Sequence, residues 1–92
     1  MIVRISSEDQ YRLEDDSVNR LNDLDNEAVL AVEAGNEDRF RQLFAEMLQL
    51  VRSNGERLGD DELSESDVIL PPPDTSFEEA CAEFTGEGLL PG

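Results

Sequence analysis

Histidine and lysine are both absent from this chain. With them go the commonest general base, the usual nitrogen ligand for metals and the amine of Schiff-base chemistry. Any catalysis would rest on carboxylates or on the single cysteine, Cys81. That thiol falls among acidic residues on the apolar side of a short predicted helix. Neither setting activates a thiol, so Cys81 reads as a packing residue, and one cysteine closes no internal disulfide. Tryptophan is missing too, and one Tyr with four Phe leaves a core that must be mainly aliphatic. There is no glycine-rich phosphate loop. No apolar run approaches the roughly 20 residues that span a bilayer, and no basic, apolar leader is visible. The expected location is therefore cytoplasmic, with any membrane role indirect.

Positive charge is equally scarce: seven Arg stand against 23 Asp and Glu, for a net charge of −16. Such a surface repels phosphate backbones and anionic lipid, which excludes direct nucleic-acid binding and direct membrane insertion. It suits a basic partner protein. It also suits a salty medium, where the screening length falls to about 3 Å at 1 M; abundant Asp without Lys has the look of a salt-adapted chain. At 92 residues one domain is expected, over residues 1–92, and burial barely outweighs chain entropy at that size. Self-association or a partner would add stability.

What is present reads in order as an α+β domain. "MIVRI" and "QYRL", separated by the polar "SSED", predict a short antiparallel hairpin over residues 1–13. A helical hairpin follows over 16–55. Asp16 or Ser17 is placed to cap its first helix, and Val18, Leu21, Leu24, Ala28, Val29, Ala31 and Val32 recur as one stripe. Gly35 ends that helix and Asn36 caps the next. Phe40, Leu43, Phe44, Met47, Leu48, Leu50 and Val51 make a stronger stripe, closed by Asn54 and Gly55. Residues 56–66 read as an acidic loop. Residues 67–92 hold an extended "DVIL", a proline run expected to act as a stiff polyproline rod, a short helix and a tail. Two capping boxes fit that helix, Thr75 with Glu78 or Ser76 with Glu79.

Carboxylate clusters carry little chemistry here. "DLDNE" (Asp23, Asp25, Glu27) imitates the start of a calcium loop, but Ala28 stands where a glycine is needed and the segment is helical. A solvated helix face is the simpler reading, and "DDELSESD" is solvated charge. No catalytic residue, cofactor or metal is expected. Three features point to a partner: the broad stripe around Phe40, Phe44 and Met47; Ile2 and Val3 on a strand with an expected open edge; and Leu89 and Leu90 in the terminal "EGLLPG".

Together, "MIVRI" with "QYRL", "LNDLDNEAVLAVEAGNEDRFRQLFAEMLQLVRSNGERL", "DDELSESDVILPPPDTSFEEA" and "EGLLPG" make a chain that resembles the PspAA family, the small proteins associated with phage-shock protein A. The resemblance implies a non-catalytic adaptor beside a coiled-coil, membrane-remodelling partner of the phage-shock protein A type, held at the inner face of the membrane through that partner. It leaves a homo-oligomer open. The alternative from another class is an acidic decoy that occupies a basic nucleic-acid-binding surface.

Overall fold

The computed structural model describes residues 1–6, 8–59 and 65–84. Along these the elements run β1 (Ile2–Ile5), β2 (Gln10–Arg12), α1 (Asp15–Glu33), α2 (Glu37–Asn54), β3 (Glu56–Arg57), β4 (Val68–Leu70) and α3 (Phe77–Glu83). The expected α+β architecture is present: an N-terminal strand pair, two long helices and a short C-terminal helix, tied together by a mixed sheet.

Alternation in β1 sends Val3 and Ile5 into the core and leaves Arg4 exposed. β2 pairs with it antiparallel, Val3 opposite Tyr11 and Arg4 opposite Gln10. On its other side β1 receives β4 in parallel, Val3 opposite Val68 and Ile5 opposite Leu70. Asp67 fixes that register with two bonds to one residue. The Ile2 N–H donates to Asp67 Oδ2 at 2.8 Å, and the Asp67 N–H donates to the Ile2 carbonyl at 2.8 Å.

The strand order is β3-β2-β1-β4, which corrects two expectations. β1 is an interior strand, so it offers no open edge; among the described residues the edges are β3 and β4. And Glu56–Arg57, expected inside the acidic loop, form a strand on β2, with Tyr11 opposite Arg57 and Arg12 opposite Glu56. Two charged residues have little intrinsic strand preference, and position makes them a strand. Gly55 leaves α2 in extended conformation pressed against β2: a Cβ there would lie 2.8 Å from Tyr11 Cβ and collide with the Val51 carbonyl. Only glycine lets the chain pass so close. Leu58 then turns into the interior, its N–H donating to the Gln10 carbonyl at 3.0 Å.

α1 starts earlier than its expected caps. Glu14 holds the N-cap position without a side-chain bond, and Asp15 and Asp16 fall in the first turn, where carboxylates meet the positive end of the helix dipole. At the other end Gly35 takes φ 69°. The Gly35 N–H donates to the Val32 carbonyl at 3.0 Å and the Asn36 N–H to the Ala31 carbonyl at 2.9 Å, the paired closure of a Schellman motif. Asn36 caps α2 as expected, its Oδ1 accepting from the Arg39 N–H at 3.2 Å. The two helices fold back on each other across this three-residue link, and their stripes merge with Val3, Ile5, Tyr11, Val68 and Leu70 into one core.

The proline segment behaves differently from a rod. Pro71 is buried, and the Thr75 N–H and hydroxyl both donate back to the Pro72 carbonyl, at 3.0 and 2.7 Å. The chain turns through Pro73 and Asp74, because the fixed φ of Pro73 suits the second position of a β-turn. Ser76 then caps α3. Its hydroxyl accepts from the Glu79 N–H at 3.2 Å while Glu79 reaches back to the Ser76 N–H, the second of the two expected capping boxes.

All four phenylalanines of the chain meet at this helix. Phe40 stacks on Phe44 at 5.6 Å between ring centroids and takes Phe77 and Phe84 edge-on at 5.9 and 5.1 Å. Thus α3 is strapped onto the helical hairpin of its own chain, lying near α1 and sending its rings to α2.

Candidate partner-binding surface

Most of the apolar residues expected to meet a partner are consumed by the core. Val3, Phe40 and Met47 are fully buried and Phe44 nearly so, because α3 and the sheet cover the faces that the sequence left spare. Ile2 is half-buried and sits opposite Arg12 in the register, so it stays near the surface. Leu89 and Leu90 lie outside the described residues. Surface apolar area is supplied instead by Ile69 of β4, 59% exposed, and by Leu30 of α1, 64% exposed.

Ile69 marks the side of the sheet turned away from the core. Arg4 lies opposite it and Arg12 two register rows away, on the same side of the sheet. Arg12 approaches Glu56 at 4.0 Å. No ion pair is formed by Arg4 among the described residues.

The residues weighed for chemistry do not converge. Asp23 and Glu27 are exposed on α1, whereas Asp25 between them is fully buried; the solvated-face reading therefore fails for Asp25, which points to the opposite side of the helix. Cys81 is half-buried on α3. Of the acidic cluster, Asp60 to Ser64 lie outside the described residues, and Glu65 and Asp67 are exposed. Among the described residues no group of three His, Cys, Asp or Glu is placed to hold a metal ion. No described helix is long and apolar enough to cross a membrane.

A feature that sequence reasoning missed lies on the outer side of α2. There a groove of about 520 Å³ is floored by Phe44, Ala45 and Leu48, bounded by Pro73 from the turn before α3, and bordered by Arg41, Gln49, Arg52 and Ser53. Each arginine is steadied by a carboxylate outside the groove. Arg41 Nε donates to Glu37 Oε2 at 2.9 Å, one turn back on α2. Arg52 forks onto Glu8 of the β1–β2 connection, its Nε donating to Oε1 at 3.2 Å. The sequence signal was an omission: positions 41, 45, 49 and 52 of one helix face hold no acid.

The exposed charge is uneven between the two helices. α1 shows Asp15, Asp16, Asp23, Glu27 and Glu33 to solvent with Arg20 as its one cation. α2 balances Glu37, Asp38 and Glu46 with Arg39, Arg41 and Arg52. One helix therefore presents a strongly negative field and the other an almost neutral one.

No curated protein and no solved structure shows significant similarity to the chain. A profile of the PspA-associated protein family (PspAA) matches residues 1–92. A mixed sheet, a helical hairpin and a phenylalanine-strapped third helix are thus the form taken here by a member of that family: the chain belongs to the PspA-associated proteins.

Proposed function

We propose that this chain is a non-catalytic adaptor that holds a phage-shock protein A-type protein and tunes its assembly at the membrane. The observation that carries the reading is the acidic outer face of α1, where five exposed carboxylates stand with one arginine of the helix and, among the described residues, only Glu27 is met by a cation from α2, Arg39 at 3.8 Å. A helix rich in Lys and Arg binds anionic lipid through its charge. The same helix is attracted to this face, so the adaptor and the lipid compete for it. The adaptor works from the cytoplasmic side and reaches the membrane only through its partner.

Support for a non-catalytic role comes from the composition, which lacks His and Lys, and from carboxylates on α1 that diverge. The acidic face would equally serve a decoy for a basic nucleic-acid-binding surface; membership of a PspA-associated family favours the first reading. The test is co-elution of the purified full chain with its cognate PspA-type protein. A complex at low salt that weakens as KCl rises is the expected result, and two separate peaks at both low and high salt would reject the proposal.

A further inference from the structure

We infer that the groove on α2 is the seat of an amphipathic helix of the partner, one whose apolar stripe is flanked by carboxylates. The inference rests on the association proposed above and names the surface that performs it.

Three observations choose this occupant. First, the groove floor is apolar, Phe44, Ala45 and Leu48, and Pro73 gives it a second wall. Between Arg41 and Arg52 the helix rises roughly 17 Å, about three turns of a facing helix, and shallow apolar grooves of this length take helices through residues at i, i+3 or i+4, and i+7. Second, a quarter of the chain is acidic, 23 of 92 residues, yet none of the described residues that line the groove is; two are arginines. Each guanidinium has N–H groups beyond those used on Glu37 and Glu8, so it can accept a second carboxylate. Third, a second copy of this chain is a poor occupant. Its helical stripes are spent in its own core, and it brings a further −16 of like charge.

The groove and the acidic face of α1 then act as opposite poles. A partner helix lying in the groove sets its acids at Arg41 and Arg52, and basic segments of the same partner are left for α1. Polarity of this kind specifies direction more than affinity.

The experiment uses the full chain and its full-length PspA-type partner in calorimetry, comparing wild type with Ala45→Trp, Arg41→Glu and Arg4→Gln. All three positions are exposed, and far-UV circular dichroism checks each fold. Expected are a loss of at least tenfold in affinity for Ala45→Trp, at least fivefold for Arg41→Glu, and no change for Arg4→Gln on the outer side of the sheet. Wild-type affinity in Ala45→Trp overturns the groove while leaving the association intact; no binding by wild type overturns the association itself. Should Ala45→Trp disturb the fold, a photo-cross-linking residue at Gln49 replaces it. Adducts on a partner helix with flanking acids support the inference, and adducts on a non-helical segment, or on a second copy of this chain, overturn it.

Discussion

The ring of Phe84, from the end of α3, meets the ring of Phe40, from the first turn of α2, edge-on at 5.1 Å and 73°. The contact joins the last described residue to the helical hairpin, and both side chains are essentially dry. Edge-to-face pairs add about 0.5–1.5 kcal/mol to what their burial already contributes.

Phe84→Ala is therefore expected to destabilise the domain by roughly 3–5 kcal/mol, a large part of the stability of a chain this small. Urea unfolding followed by circular dichroism measures it. A loss below about 1 kcal/mol would mean that α3 is an ornament on the helical hairpin.

Two glycines should respond in a fixed order. At Gly35, φ is 69° with open space around the missing Cβ, so Gly35→Ala carries only the left-handed penalty of about 1–2 kcal/mol, and Gly35→Asn less. At Gly55 the backbone is ordinary, but Tyr11 and the Val51 carbonyl occupy the space. Gly55→Ala must push β3 off β2 and is expected to cost about 2 kcal/mol or more. Thermal melts of both variants give the ranking, and the reverse order would contradict the packing described for β3.

Asp67→Ala removes the acceptor that holds the Ile2 N–H at the start of β1. A cost of about 1 kcal/mol is expected, with Asp67→Asn retaining most of the stability because its carbonyl still accepts. Hydrogen exchange should locate the loss at the β1–β4 pairing. Faster exchange confined to the helices would speak against it.

Salt provides a global check. With −16 charges on 92 residues, repulsion between carboxylates opposes folding and is screened as ionic strength rises. The melting temperature should climb between low and molar KCl, whereas a flat or falling curve would remove self-repulsion from the account.

The helices were the most legible part of the chain, because stripes at three- and four-residue steps and the Gly35–Asn36 punctuation are local signals. Capping at Ser76 was legible for the same reason. What stayed hidden depended on residues far apart in sequence. Nothing local says that Val68 will lie beside Val3, so β1 looked like an edge when it is interior. Glu56 and Arg57 have the composition of a loop and became a strand only because Gly55 lets them reach Tyr11. The stripe around Phe40 and Met47 looked broader than one partner helix needs, and the surplus was for α3 and the sheet. The groove was invisible for a related reason: its second wall, Pro73, arrives from the turn before α3, so no single segment announces it.

Competition at a membrane tests the adaptor reading most directly. The PspA-type partner is mixed with anionic vesicles, the full chain is titrated in at low salt, and the vesicles are sedimented. The account predicts that partner leaves the pellet in proportion to added chain and that neutralising α1 with Asp23→Asn and Glu27→Gln blunts the effect. Partner that stays with the vesicles at saturating chain would contradict it.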